Sequence, residues 1–233
     1  KTRQQLAFWM FFVGLACIVF AIRLGLDLDF HPIFIAYMWL VAVLILSRYV
    51  FFALYNPPLL ELGEYEPTVA VIVPAKNESD AIYDTAKALH DVDYPKGKLK
   101  VILLNDGSDD DTGEWMDKCG KEFGHKVIHL AQNVGKREAI AVGMKHHNSE
   151  LTILVDSDSV IEADAIKEGV RGFYSSKIGA VCGHTDVKNA KVNWLTRMQT
   201  QQYFIAFRTF RSLESYFGSV ICCSGAFSIY RTS

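Results

Sequence analysis

Two carboxylates separated by one residue, Asp156 and Asp158 in the string LTILVDSDS, close an apolar run that ends at Asp156. Residues i and i+2 share a face in an extended chain, and at a turn they fan around a common centre. Two such charges about 4 Å apart repel by roughly 4 kcal/mol at an effective dielectric near 20. A divalent cation relieves that repulsion, and Mg²⁺ takes one or two protein carboxylates together with phosphate oxygens and water. The pair therefore points to a metal-bound diphosphate. Lys136 and Arg137 follow Gly135 and open a predicted helix, where N-terminal amides and a point charge suit an anion. Asp106 closes another apolar run and could accept hydrogen bonds from a base or a ribose. GxGxxG and Walker patterns are absent, which counts against dinucleotide oxidoreductases and P-loop NTPases.

The elements that must hold these groups follow from periodicity. TVAVIVP (68–74), KVILLND (100–106), KVIHL (126–130) and LTILVD (151–156) are short β-branched runs without polar alternation. Such runs suit strands buried on both faces of a parallel sheet. IGAVCGHT (178–185) reads as one more strand. Helical patterns alternate with the strands near 81–89, 114–123, 136–146 and 163–174, so the body is α/β with an open, mostly parallel sheet. In such sheets ligands sit beyond the carboxyl ends of the strands. The polar strings AKNES, DGSDDDT, AQNVGKRE and DSDS all fall at those ends. Each alone is ordinary turn and cap chemistry; four at one edge define a candidate site.

Half of the 233 residues are hydrophobic and 12% aromatic, which excludes a disordered chain. The apolar residues are concentrated at the start. Residues 6–22 carry no charge, and 33–55 are interrupted only by Ser47 and Arg48. Each run is long enough for a bilayer span, and the acidic string GLDLDFHP between them reads as a turn. Lys1 and Arg3 flank the first run, so the positive-inside rule predicts a multi-pass membrane protein with a two-helix hairpin in 1–55 and a cytoplasmic body. Arg48, late in its run, is expected to snorkel or to face a partner helix. Residues 56–67 read as a linker. The chain has 26 acids and 24 bases, of which two and four precede Asn56, leaving a body of 24 acids against 20 bases. That balance excludes a basic nucleic-acid face. The five cysteines form no CxxC or paired framework, and read as reduced thiols.

PAKNE, DGSDDDT, GKRE and VDSD, in this order, resemble the donor-binding half of inverting glycosyltransferases with the GT-A fold. SYFGSVICCSGAFSIYR (215–231) and WLTRMQ (194–199) narrow the resemblance to hyaluronan synthases, chitin synthases and nodulation chitooligosaccharide synthases, which are processive and membrane-bound. The resemblance runs from about Val69 to Arg231. It implies a GT-A nucleotide-sugar domain over 68–190, an interfacial amphipathic helix over 191–218 and an acceptor-site segment over 219–233. It implies that Glu78 and Asp106 hold uridine, with Ala75 approaching through its backbone. Lys136 would meet the diphosphate, Asp156 would lie near the diphosphate or sugar, and Asp158 would ligate Mg²⁺ or Mn²⁺. Cys222 would floor the acceptor pocket. Ala226 stands where the family has proline, Phe210-Arg211 where it has an acidic-arginine pair, and Glu214 where it has glutamine. The family's catalytic base would lie beyond Ser233, as would its QxxRW motif and C-terminal membrane helices.

The expected activity is therefore transfer of a sugar, N-acetylglucosamine in the first instance, from a UDP-sugar to a β-linked polysaccharide such as hyaluronan or chitin. The expected partners are the UDP-sugar donor, a polysaccharide or sugar acceptor and the lipid bilayer. Two other readings stand beside it. Single transfer to a lipid phosphate would need no acceptor string like 215–231. A non-catalytic, UDP-sensing membrane scaffold would bind UDP without turnover.

Overall fold

The computed structural model describes residues 32–232. The first apolar run and the predicted turn after it lie outside the described residues. The described residues form two compact units: one holds residues 32–55 together with Arg208–Ser219, and the other holds Asn56–Phe207 with residues 220–232.

In the first unit, helix α1 (Pro32–Leu54) is the predicted second span. Its 23 residues are apolar enough to cross a membrane, and none of its residues is buried in protein. At 1.5 Å per residue it is about 35 Å long, against a hydrocarbon core of about 30 Å. Its one charged side chain, Arg48, stacks over the Phe210 ring at 4.4 Å from the centroid. The expectation that Arg48 faces another helical segment is thus met by an aromatic face, which suits a weakly hydrated guanidinium. Phe51 packs against Tyr216 and Phe217, with centroids 5.0 and 5.1 Å apart, and the Tyr55 and Ser215 hydroxyls lie 2.6 Å apart.

The second unit is built on a six-stranded sheet in the order β3-β2-β1-β4-β6-β5. Its strands are β1 (Val69–Ala75), β2 (Leu99–Asn105), β3 (Lys126–His129), β4 (Leu151–Val155), β5 (Ala180–Cys182) and β6 (Phe227–Arg231). β1 to β4 are mutually parallel, as their uninterrupted apolar runs require, and β1 is buried along its whole length. Helices α2 (Ala81–Asp91), α3 (Thr112–Phe123), α4 (Lys136–Met144) and α5 (Ala165–Val170) form the crossovers. Val69, Val71 and Val73 share one core with Ile82 and Leu89 of α2, Met116 of α3 and Ile166 of α5. Ile72 points the other way, toward α4, where Gly143 comes so close that an added Cβ would sit 2.8 Å from the Ile72 methyl. Each fully buried aliphatic side chain contributes about 1.5–3 kcal/mol relative to exposure.

Two features depart from the sequence reading. The segment 219–233, expected only as an acceptor element, supplies β6, which inserts between β4 and β5 and is antiparallel to both. The sheet is thus mixed at one edge. The interfacial helix expected over 191–218 is three pieces: α6 (Trp194–Tyr203), a π-helical stretch (Phe204–Phe210) and α7 (Arg211–Tyr216). Asn193 caps α6 by accepting the Thr196 N–H, and Thr196 returns a bond to the Asn193 N–H. This capping box explains why the helix starts there.

Candidate active site

The chain runs outward from β1 to β2 to β3 and then returns to place β4 on the other side of β1. That reversal makes a topological switch point at the carboxyl ends of β1 and β4, where an open α/β sheet binds ligands. Two residues meet across it. Glu78, from the loop after β1, accepts a 2.9 Å hydrogen bond from the Ser157 hydroxyl, from the turn after β4. Ser157 sits between the two aspartates, so this bond fixes the turn that carries both of them. Its own carbonyl accepts a bond from Thr85 of α2 at 2.7 Å.

Asp156 and Lys136 are brought together as an ion pair of 2.5 Å between Nζ and Oδ1, with side chains 56% (Lys136) and 31% (Asp156) exposed. Gly225 lies against the pair: an added Cβ there would be 3.3 and 3.5 Å from the Asp156 oxygens and 3.6 Å from the Lys136 nitrogen. The segment from the far end of the sequence therefore reaches the same spot as the β4 turn and the start of α4. The sequence reading chose Cys222 in this segment. Cys222 is exposed, with its thiol 3.5 Å from the Cys223 carbonyl, while Cys223 is half-buried. The residue that touches the charged pair is Gly225, three positions on. Its signal in the sequence was the Ser-Gly string itself, since glycine is used where another group must come close.

Asp106 has a different surrounding from the one its position suggested. It is 4% exposed, and its two oxygens accept the N–H groups of Val134 and Gly135 at 2.8 and 3.0 Å. Its backbone N–H donates to the Ala75 carbonyl at 2.9 Å. Asp106 therefore ties the end of β1 to the loop that leads into Lys136. Ala75, buried at the end of β1, presents its carbonyl to that bond. Next to it Gly107 takes φ +60°, and an added Cβ would be 2.5 Å from the Asn133 nitrogen. Both the conformation and the close backbone require glycine here. The loop after β1 is held from below by Thr112, whose hydroxyl accepts the N–H groups of Glu78 and Ser79 at 2.8 and 2.9 Å. The Thr112 hydroxyl and amide also hold the Asp110 carboxyl below the usual carboxylate range.

Asp158 is exposed and makes no hydrogen bond or ion pair with the described residues. Among the described residues no three His, Cys, Asp or Glu side chains converge. The chain thus offers two neighbouring carboxylates, Asp156 and Asp158, one of them open. That donor set fits Mg²⁺ or Mn²⁺ completed by phosphate oxygens and water, and does not fit a closed four-ligand cage.

This sheet, with its crossovers and its polar carboxyl edge, is the GT-A fold. The signature of Glycosyl transferase family 2 matches residues 70–233, and the chain belongs to that family. It is 33% identical over 170 residues to an N-acetylglucosaminyltransferase of Azorhizobium caulinodans, a match covering 72% of this chain and 43% of that protein. It is 30% identical over 210 residues to a poly-beta-1,6-N-acetyl-D-glucosamine synthase of Staphylococcus epidermidis, covering 88% of this chain and 49% of that one. The chain thus spans about half the length, or less, of these relatives. Among solved structures it is similar in fold to a mannosyltransferase of Pyrobaculum calidifontis in complex with GDP-Man and Mn²⁺. The TM-score is 0.65 at 18% identity, over 80% of this chain and 51% of that one.

Proposed function

We propose that the chain is the donor-binding part of a membrane-anchored, inverting glycosyltransferase. It takes N-acetylglucosamine from UDP-N-acetylglucosamine and extends a β-linked, amino-sugar-containing polysaccharide, as hyaluronan and chitin synthases do. The observation that carries this reading is the Lys136–Asp156 pair at the switch point with Gly225 against it. A phosphate-binding cation, an acidic pair and the proposed acceptor segment share one place. The names of the two relatives support the choice of N-acetylglucosamine.

In this reading Glu78 and Asp106 hold the uridine side, with the Ala75 backbone beside it. Lys136 turns from Asp156 to the diphosphate. The pair is partly exposed, and such a pair contributes at most about 1 kcal/mol, so exchanging it for a doubly charged diphosphate costs little. Asp158 and the released Asp156 would hold Mg²⁺ or Mn²⁺. A cation bound there neutralises charge on the departing diphosphate. Cys222 and Gly225 shape the space for the acceptor, whose hydroxyl attacks the anomeric carbon from the side opposite the diphosphate. The base that takes the hydroxyl proton is assigned to no residue of this chain. α1 would cross the bilayer, consistent with its length and its exposed apolar surface; the cytoplasmic placement of the body rests on the positive-inside rule applied to Lys1 and Arg3.

The test is calorimetric titration of the full-length protein with UDP, with and without Mn²⁺. Mn²⁺ is expected to tighten UDP binding in the parent. Asp158→Asn should lose at least about tenfold of affinity in Mn²⁺ and little without it. Equal metal dependence in variant and parent would remove Asp158 from the site.

A further inference from the structure

We infer that Asn105 and His129 are positioning residues for the nucleotide, holding the loops of the donor site through a line of side-chain hydrogen bonds beneath it. The inference rests on the donor site proposed above and identifies what keeps it in shape. Asn105 is the last residue of β2 and is 7% exposed. Its Oδ1 accepts the Ser108 N–H at 2.9 Å. A backbone N–H can only donate, so the amide orientation is fixed, and Nδ2 faces Nδ1 of His129 at 3.2 Å. Nδ2 can only donate as well, so the His129 proton sits on Nε2, which donates to Asp117 Oδ1 at 3.0 Å. Gly113 of α3 makes room for this contact, since an added Cβ there would be 3.1 Å from Asn105 Nδ2 and 3.5 Å from the His129 ring.

Three loops of the proposed donor site, those after β1, β2 and β3, hang from this line. The Ser108 hydroxyl accepts the Asn77 N–H at 3.1 Å, and the Asn77 side chain accepts the Asp109 N–H at 3.0 Å. The loop carrying Glu78 is thereby locked to the turn carrying Asp106. The Asn105 carbonyl accepts the Leu130 N–H at 2.9 Å, and Asp106 holds Val134 and Gly135. The β3 loop that delivers Lys136 is thus tied to Asn105 and to Asp106 next to it. Without an acceptor at position 129, the buried Nδ2 has no partner. The amide can leave that unpaired position only by rotating about its side chain, which takes Oδ1 away from Ser108. The Asp106–Ser108 turn then loosens, and the Asn77–Glu78 loop with it. The reacting groups themselves are untouched, so the loss falls on donor binding and not on the transfer step.

The experiment measures UDP affinity in Mn²⁺ by calorimetry, and KM and kcat for UDP-N-acetylglucosamine, on full-length variants. In His129→Leu the UDP affinity should fall about tenfold and KM rise in parallel, with kcat within about twofold of the parent. His129→Asn puts an amide oxygen where Nδ1 stood and should restore affinity to within about threefold of the parent. The His129 side chain is 42% exposed, so neither variant should fail to fold, and thermal unfolding checks this. Parental UDP affinity in His129→Leu would overturn the inference. So would equal weakening in the Leu and Asn variants, which would mean only disturbed packing. Asp106→Asn separates the two levels of the argument. It should lose UDP binding if the donor site is right; if the parent showed no specific UDP binding, or Asp106→Asn bound UDP as the parent does, the donor site itself would be wrong, and the inference would fall with it.

Discussion

Asp156→Asn in the full-length protein is expected to lower the rate of sugar transfer by roughly 10²- to 10³-fold, the range seen when one preorganised electrostatic partner is removed. Asp156 sits at the end of β4, anchored through Ser157 to Glu78 across the switch point, so its carboxylate has a fixed place. The substitution keeps the shape and removes the charge. Stability should hardly change, because the lost partner is a partly exposed ion pair contributing at most about 1 kcal/mol. UDP binding measured without metal should stay level or tighten, since Lys136 no longer has a competing carboxylate. Opposite directions for metal-free binding and for transfer are the signature of this arrangement. Initial rates and calorimetric affinities on the same preparation read both. Parental transfer in the variant would show that Asp156 acts only as a resting partner for Lys136.

The second large effect is expected at Gly225. Its φ is not in the left-handed region, so the backbone accepts any residue and only space is at issue. The added Cβ of Gly225→Ala would be 3.3 Å from an Asp156 oxygen. A shift of a few tenths of an ångström accommodates it, and transfer should drop only several-fold, since misplacement by a full ångström costs about a hundredfold. Gly225→Val adds two methyl groups against the same charged pair. It should cut transfer by about 10²-fold and weaken UDP binding too, because Lys136 is crowded along with Asp156. Cys222 tests the same segment less directly, as it is exposed and its thiol bonds the neighbouring Cys223 carbonyl. If Gly225→Val transferred sugar at the parental rate, the 219–233 segment would not border the reacting atoms.

The fold was legible wherever one strand or helix carries its own pattern. The runs that became β1 to β4 are β-branched and uninterrupted because both faces of those strands are covered, and their ends were read to within about a residue or two. β6 was not read. FSIYR is short, and its place between β4 and β5 depends on pairing with residues some 50 to 80 positions earlier, which no local pattern encodes. The π-helical stretch 204–210 was also missed: FIAFRTF is apolar nearly all round, so the shift of face that a wider turn produces leaves no mark in its pattern. At the site, the sequence brought Lys136, Asp156 and Glu78 to one edge, since strand ends converge in an open sheet. It misread Asp106. A carboxylate at a strand end looks the same whether a ligand or a neighbouring loop donates to it, and here the donors are the Val134 and Gly135 amides. Asn105 and His129 escaped notice for the same reason: their bonds join elements that are distant in sequence.

The central claim is that this edge carries N-acetylglucosamine transfer from UDP. Its most direct test is incorporation of labelled sugar by the full-length protein in membranes supplied with Mn²⁺ and, in parallel, UDP-N-acetylglucosamine, UDP-glucose or GDP-mannose. The account predicts label in a β-linked product from UDP-N-acetylglucosamine, lost on chelation of the metal and in Asp156→Asn. UDP binding without any turnover would point instead to a non-catalytic scaffold, and turnover of GDP-mannose with none of UDP-N-acetylglucosamine would contradict the account.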